Sequence, residues 1–322
     1  MRGSFNQHGL STETVDILTA SWRSSTKKQY TIYIKKWIQF CAQHTVSHLQ
    51  TKVNTVLEFL SNLFQSKSSY SAVNTARSAL SSYAVLEDST CTIGNHPLIC
   101  RLLKGIFNLK PPKARYTSIW DVNIALKYMR KLSPATSLNL KALTLKLSLL
   151  MALISAQRVQ SLHFFKLSTM ELKQGSATFC VDDVIKQTRP GSTGLMLHLK
   201  AYPPDRRLCI VNYLKQYISR TKNLRNQEDY LFISFSKPHQ RVTSQTISRW
   251  IKESLTAAGI DTSVYKSHST RAAAVSAAKR ADLPISNILT QAGWANEQTF
   301  RKFYDKPLVK GQGAFTTVIL QQ

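Results

Sequence analysis

Acidic residues are scarce in this chain. Its 322 residues include 43 Lys and Arg against 17 Asp and Glu, which gives a net charge of +26. So large an excess opposes compactness by self-repulsion, and its usual use is to bind a polyanion, of which nucleic acid is the commonest. A basic ribosomal protein or a protein of the membrane surface would fit the same charge.

Several sequence signatures of metal-dependent and nucleotide-dependent enzymes are missing. No D-x-D or other acidic cluster looks built to hold Mg²⁺, which argues against a two-metal nuclease or polymerase. The chain has no GxxxxGK[ST] phosphate loop and no H-E-x-x-H zinc motif. If it cuts or joins nucleic acid, we expect it to do so with no cofactor, neither metal nor ATP.

Cysteines and long apolar runs are also few. The five cysteines are scattered without a C-x-x-C pair, which favours free thiols in a reducing compartment. The most apolar stretch, LSLLMALISA at 147–156, lies between Lys146 and Arg158 and is too short to span a bilayer. The N-terminus lacks the apolar segment of a signal peptide. We expect an intracellular protein without a membrane partner, nuclear if the source is eukaryotic.

The first hundred residues carry only helical signals. Beyond a helix capped by Ser24 or Ser25, the pattern predicts helices over 53–64, 72–86 and 98–107. The helix that follows Ser24 or Ser25 has one apolar face, made of Tyr30, Tyr33, Ile34, Trp37 and Cys41. On or beside its polar face lie the candidate DNA-contacting lysines Lys27, Lys28, Lys35 and Lys36. We predict a helical domain over 1–109.

The proline-containing KPPKARYTS at 110–118 interrupts this pattern and predicts a solvated linker. The remainder, 119–322, is mixed. Helical patterns cover 119–131, 138–155, 208–219, 244–258, 269–281, 286–292 and 297–304. Strand-like runs cover 163–172, 177–185 and 195–201, and the last two flank a turn-rich RPGSTG that predicts a hairpin. The fold class is therefore mainly α with a small antiparallel sheet, in two domains.

Metal-free phosphodiester chemistry needs a particular set of side chains. A nucleophile must attack phosphorus, cations must hold the non-bridging oxygens, and an acid must protonate the leaving oxygen. Arginine suits the phosphate because its planar fork donates two bonds at once, while lysine or histidine suits the proton transfer. The chain offers such residues in a fixed order: Arg158, Lys186, His268 and Arg271 as H-x-x-R, Trp294 and Tyr304.

This ordered set resembles the tyrosine recombinases, the phage-integrase-type family. The helical first domain, 1–109, also looks like the family's core-binding domain, so the resemblance covers nearly the whole chain. The sequence segments HSTRAAA and TFRKFYDKP are most similar to those of recombinases from DIRS-type retroelements. The resemblance implies that Tyr304 attacks the scissile phosphate, leaving a 3′-phosphotyrosyl link and a free 5′-hydroxyl. It implies that Arg158 and Arg271 hold the non-bridging oxygens and that Lys186 protonates the 5′ leaving oxygen.

The other implied roles concern the histidine, the tryptophan and the partners. His268 would act as acid or base toward the tyrosine or bond the phosphate, and Trp294 would pack against or hydrogen-bond into the phosphate site. Arg189, in the hairpin turn, is a further candidate for DNA contact. The expected partner is double-stranded DNA, and the two domains of a protomer would form a clamp on the duplex. Recombination implies a homotetramer that assembles on two DNA sites. The tail at 311–322 could dock on a neighbouring protomer or pair with its own sheet.

Each of these residues also has a structural interpretation. Arg158 can favour a helix C-terminus by its charge alone. Lys173 or Lys200 could take the role of Lys186, and an isolated His268 is more often a core or capping residue. The tryptophan and the tyrosine, taken alone, are ordinary packing aromatics. Only their joint occurrence in order favours a catalytic set.

Two departures from the family's pattern bear on activity. Ser161 stands three residues after Arg158, where the family usually has an acidic residue that helps to hold the histidine. The interval from Trp294 to Tyr304 is one residue longer than usual, and Phe303, in the usual place, has no hydroxyl. An extra residue turns a helix by about 100°, so we expect a different local path.

Three other functions fit the sequence. A type IB topoisomerase-like enzyme would use the same chemistry without exchanging partners. A domesticated protein of this family would bind DNA without cutting it. A general RNA-binding protein would explain the charge alone. No helix predicts the DNA sequence that the protein would recognise.

Overall fold

The computed structural model describes residues 9–186, 188, 191 and 194–309. It divides into two compact units, with the division between Ala114 and Arg115. Both are mainly helical, and the second carries a small antiparallel sheet, which confirms the predicted fold class. Arg189 and the tail at 311–322 lie outside the described residues. Within the described part of the chain, no helix is both long and apolar enough to cross a membrane.

The first unit is a helical bundle with one very short sheet. Its elements are α1 (Thr12–Ala20), α2 (Ser24–Gln43), β1 (Gln50–Thr51), α3 (Val53–Gln65), α4 (Tyr70–Ser81), β2 (Val85–Leu86) and α5 (Pro97–Leu109). The apolar face predicted for α2 is the face that packs into the core. Ile34, Trp37 and Cys41 are buried, and Tyr30 and Tyr33 pack against them. Pro97 opens α5 at its first turn, where its missing N–H costs nothing.

Two predictions in the first unit are wrong in detail. α2 begins at Ser24, and Arg23 precedes it without a side-chain cap, so neither Ser24 nor Ser25 caps this helix. α4 ends at Ser81, five residues before the predicted end. Beyond it, Val85 donates its N–H to the Leu49 carbonyl at 2.8 Å, and β2 runs parallel to β1. This pairing joins distant segments, which a local helical pattern cannot reveal.

The second unit surrounds one buried helix. Its elements are α6 (Val122–Lys131), α7 (Leu140–Ser155), α8 (Val159–His163), β3 (Met170–Leu172), β4 (Ser176–Val181), β5 (Leu195–Lys200), α9 (Ile210–Thr221), α10 (Ser244–Ala257), α11 (Ser269–Arg280), α12 (Ile285–Ala292) and α13 (Glu297–Phe303). The sheet has the antiparallel order β3-β4-β5, so the predicted hairpin is present. α7 is apolar nearly all round and contacts α9, α10 and α11. Its C-terminus ends at the N-terminal side of α11, where the candidate residues gather.

The strand predicted over 163–172 is mostly absent. Only Met170–Leu172 pairs in the sheet, and His163 ends the short helix α8. Leu162 and Phe165 are both fully buried on either side of that helix end. A short apolar run of this kind fits a buried strand or a buried helical turn equally well, because periodicity alone does not separate them.

Candidate active site

Arg271 is the structural centre of the site. It lies in the first turn of α11 and is only 1% exposed. Its Nη1 donates to the Ala156 carbonyl and its Nη2 to the Ala292 carbonyl, both at 2.7 Å. Ala156 follows α7 in the left-handed conformation, with a φ of 50°, and Ala292 is the last residue of α12. Arg271 therefore joins two helix C-termini whose carbonyls lack helical partners.

Arg271 stays positively charged in this setting. Burial lowers the pKa of its guanidinium to about 10, and the nearby charge of Arg158 adds to the effect. The guanidinium carbon lies 4.2 Å from the centre of the Trp294 ring and 5.5 Å from that of Tyr304. A cation over aromatic faces is attracted by the ring quadrupoles.

Three buried donors around Arg271 have no hydrogen-bond partner among the described residues. They are Arg271 Nε, Arg158 Nη1 and Trp294 Nε1. Buried N–H groups without partners are rare in proteins, and two of these belong to neighbouring guanidinium groups. An oxyanion such as a phosphate would accept from such donors, and arginine binds it with a planar fork. The arrangement suits an anion that carries several oxygens.

Tyr304 and His268 are in hydrogen-bond contact within the site. The His268 Nε2 lies 3.0 Å from the Tyr304 hydroxyl, and the Tyr304 ring packs on the Trp294 ring with centroids 4.5 Å apart. In the tautomer that carries its proton on Nδ1, His268 Nε2 accepts from the tyrosine hydroxyl. This geometry places a proton acceptor directly on a potential nucleophile.

The pKa of His268 is lowered to about 4, first by burial and then by the charges of Arg271, Arg158, Lys186 and Arg115. His268 is exposed as a whole residue, so the cationic neighbours are the part of this explanation that does not depend on burial. Both causes act in the same direction. His268 is therefore neutral at pH 7 and available to accept a proton.

Two cations at the margin of the site come from separate parts of the second unit, its first residue and the segment after β4. Lys186 is exposed, follows β4, and contributes to the lowered pKa of His268. Arg115 does so too, although the sequence predicted only a solvating role for it within the linker. In the sequence, a single arginine among the lysines and prolines of 110–118 does not indicate that its charge acts on His268. Lys173, by contrast, forms an exposed ion pair with Glu171.

The longer interval before Tyr304 is accommodated where α13 ends. The helix was predicted to run through Tyr304, but it stops at Phe303 and Tyr304 is its C-cap, with a φ of −126°. Phe303 is 56% exposed, whereas Tyr304 is half-buried against Trp294. The residue in the family's usual place therefore faces away, and the following one joins the site. Ser161 is buried and has no charge to offer His268.

The lysines proposed to contact DNA lie on α2 in the first unit. Lys28, Lys35 and Lys36 are exposed and Lys27 is half-buried. Their role stays a prediction. Among the described residues, no group of three or more His, Cys, Asp and Glu side chains could hold a metal ion.

Comparisons with known proteins bear on the family and on the fold. The model of the Phage integrase family matches residues 123–308, which is more than half of the chain. The structure resembles a lambda integrase fragment solved as a dimer on a core site, with a TM-score of 0.56, 13% identity and coverage of 97% of this chain and 98% of that one. It also resembles the XerH recombinase in a post-cleavage complex with DNA, with a TM-score of 0.57 at 15% identity over 84% and 73% of the two chains. No curated protein matches the sequence. At these identities the structural likeness establishes the fold.

Proposed function

The chain belongs to the phage integrase family, the tyrosine recombinases, and from this premise we propose that it breaks and rejoins DNA strands with Tyr304 as the nucleophile. The observation that carries the proposal is the 3.0 Å contact between the Tyr304 hydroxyl and His268 Nε2, beside the buried guanidinium of Arg271. This contact supports the proposal because it would bring a nucleophile, a neutral base and a cation into one site.

In the proposed cleavage step, the Tyr304 oxygen attacks phosphorus and its proton passes to His268 Nε2. The new bond joins tyrosine to the 3′-phosphate, and the bond from phosphorus to the 5′ oxygen breaks. Charge that builds on the non-bridging oxygens is held by Arg158 and Arg271. Each has a buried donor that bonds no other described residue and can take this role. Lys186 donates a proton to the 5′ oxygen as it leaves.

Rejoining reverses these bonds. A 5′-hydroxyl from another strand attacks the phosphotyrosine, so the energy of the phosphodiester is kept and no ATP is consumed. Transfer between two duplexes would require several protomers, and lambda integrase has been solved as a tetramer on a Holliday junction. We propose a homotetramer on two DNA sites, and a role in the integration of a mobile element. The likeness to recombinases of DIRS-type elements stays a prediction.

We propose that the first unit is the core-binding domain and the second the catalytic domain. The exposed lysines of α2 would then hold phosphates of the duplex backbone, where contacts are largely independent of sequence. XerH and lambda integrase have both been solved with DNA, which supports a duplex partner for this fold.

Covalent trapping tests the proposal. Duplexes that bind the wild-type protein are selected from a randomised library, and a series of nicks along the selected site turns each into a suicide substrate. In EDTA we expect a covalent protein–DNA adduct with the wild-type protein. Tyr304→Phe should lower adduct formation by about 10³-fold or more, as loss of a nucleophile does, and leave DNA binding intact.

A matched variant moves the hydroxyl by one residue. The double change Phe303→Tyr and Tyr304→Phe keeps the composition but places the only hydroxyl of the pair at the position that is 56% exposed. We expect it to form no adduct. If the double variant cleaves and Tyr304→Phe does too, Tyr304 is not the nucleophile.

Other outcomes support the competing functions. Binding without any adduct on the whole nick series would indicate a non-catalytic DNA-binding protein and contradict the proposal. An adduct with relaxation of supercoils, but without exchange between two duplexes, would indicate a topoisomerase-like enzyme. Equal binding of RNA and duplex DNA, again without adduct, would indicate a general nucleic-acid-binding protein.

A further inference from the structure

The segment that carries Tyr304 is attached to α11 just beyond the site. Ser276 is 1% exposed, and its hydroxyl donates to the Tyr304 carbonyl at 2.6 Å. The same oxygen accepts from the Lys306 N–H at 3.1 Å. One side-chain hydroxyl thus fixes the backbone on both sides of Asp305, directly after the nucleophile.

A second contact lies one turn further along the same helix. Lys279 is three residues after Ser276, so the two side chains lie on one face of α11, and Lys279 forms an ion pair with Asp305. The two side chains of this pair are 42% and 27% exposed. Solvent screens such a pair, so we expect it to hold the segment less firmly than the buried hydroxyl does.

The end of the segment is fixed as well. Ile119 donates its N–H to the Pro307 carbonyl at 2.8 Å and accepts from the Val309 N–H at 3.0 Å. This bridge holds residues 307–309 but leaves the path between Tyr304 and Pro307 undetermined. Ser276 and Lys279 contact this intermediate part. Arg280, the last residue of α11, also donates to the Lys306 carbonyl, at the longer distance of 3.4 Å.

The location of these anchors on α11 is informative. His268 immediately precedes the helix, Arg271 lies in its first turn, and Ser276 follows five residues later. One rigid element therefore presents the base, the phosphate-binding cation and the anchor of the nucleophile. Effective attack requires reacting atoms about 3–3.5 Å apart, and a displacement of about 1 Å can cost a hundredfold in rate.

We propose that Ser276 and Lys279 are positioning residues that set the distance of Tyr304 from His268 and the bound phosphate, with Ser276 the stronger of the two. This inference rests on the proposed role of Tyr304 as nucleophile. Neither residue is proposed to touch the reacting atoms. Ser276 bonds the backbone of Tyr304, and Lys279 bonds its neighbour.

Single-turnover cleavage at saturating DNA tests this role. We expect Ser276→Ala to lower the rate constant of adduct formation by about 10²-fold, and Lys279→Met by about tenfold or less. The Kd for DNA should stay within about twofold. Ser276→Cys, which keeps the volume and a weaker donor, should be intermediate. Ser148→Ala is the matched control, because Ser148 is a buried serine whose hydroxyl bonds the Leu145 carbonyl away from the site.

Two readouts separate positioning from loss of structure. A partly unfolded variant lowers the amplitude of the single-turnover reaction, whereas a misplaced tyrosine lowers its rate constant. A substrate with sulfur in place of the 5′ leaving oxygen needs no proton for departure, because a thiolate leaves readily. It should relieve the defect of Lys186→Met but leave that of Ser276→Ala.

The inference is overturned if Ser276→Ala cleaves at the same rate constant as Ser148→Ala while the wild-type protein forms its adduct. It is also overturned if the sulfur substrate restores Ser276→Ala, since the hydroxyl would then affect proton donation. A wild-type protein that forms no Tyr304-dependent adduct overturns the proposed function, and this inference with it.

Discussion

Two buried cations at α7 differ in how completely the protein satisfies them. Lys146, within the helix, donates to the carbonyls of Met129, Leu132 and Arg207, each at 2.7 Å. Arg271, which bonds Ala156 at the end of the helix, has an Nε without a partner in the part of the chain that the structure describes. One cation is fully used in holding the fold. The other holds two helix ends and still has a donor for a ligand.

The charge state of Lys146 follows from its geometry. Burial lowers the pKa of its amino group to about 7. Three carbonyls at 2.7 Å nevertheless need three N–H donors, which the ammonium has and the neutral amine does not. We therefore treat Lys146 as charged, with the Tyr213 ring 3.7 Å from its Nζ as a further favourable contact.

The largest expected effect concerns the cation with the spare donor. Arg271→Lys keeps the charge but removes the planar fork, so it cannot bond two helix ends and a phosphate together. We expect single-turnover adduct formation to fall by about 10³-fold, as when a preorganised oxyanion donor is lost. The measurement is the rate constant on the selected nicked duplex.

Arg225→Lys is the matched control for this change. Arg225 is also buried, but its donors bond Thr221 and the carbonyls of Tyr230 and Leu231. We expect it to lower stability and to leave the rate constant of the folded fraction unchanged. Equal rate constants for the two variants would contradict the distinction between a structural and a ligand-binding arginine.

The next effect concerns the fully bonded cation. Lys146→Met removes three hydrogen bonds from the fold. The Met129 and Leu132 carbonyls keep one donor each, the Leu132 N–H and the Tyr213 hydroxyl. The Arg207 carbonyl loses the bond from the ammonium, and we expect the free energy of unfolding to fall by about 3 kcal/mol. Urea denaturation measures it. Below the unfolding transition, the rate constant of adduct formation should stay at the wild-type value. A large fall in that rate constant would place Lys146 in the reaction and remove the contrast with Arg271.

Local periodicity was enough to predict part of the fold. The apolar face of α2 and the hairpin of β4 and β5 follow from helical and turn patterns, which depend on neighbouring residues. The β1–β2 pairing depends on contact between distant segments, and α8 is too short for its period to be read. Both were therefore missed.

For the site, the motif order named residues that the structure brings together, among them Arg271, His268 and Tyr304. It did not indicate Ser276, because that hydroxyl bonds backbone atoms 28 and 30 residues away, and any residue has those atoms. Lys146 served only to mark the edge of an apolar run. Its three acceptors come from two other parts of the second unit.

The smallest expected effect is a shift in the pKa of His268, which tests whether the two kinds of buried cation differ in their influence on the site. Positive neighbours disfavour the protonated imidazole, so in the free protein we expect His268 to be neutral at pH 6 and to titrate near its lowered pKa of about 4. Arg158→Met removes one of these charges, and the pKa of His268 should then rise toward its ordinary value of 6.5. NMR titration of the imidazole measures both. Lys146→Met removes a buried cation that lies outside the site. It should leave the pKa of His268 unchanged, because the charges that lower this pKa are those of Arg271, Arg158, Lys186 and Arg115. If Lys146→Met shifts the pKa of His268 as much as Arg158→Met does, the charge of Lys146 also acts on the site. The distinction between Lys146 as a structural cation and the cations of the site would then be wrong.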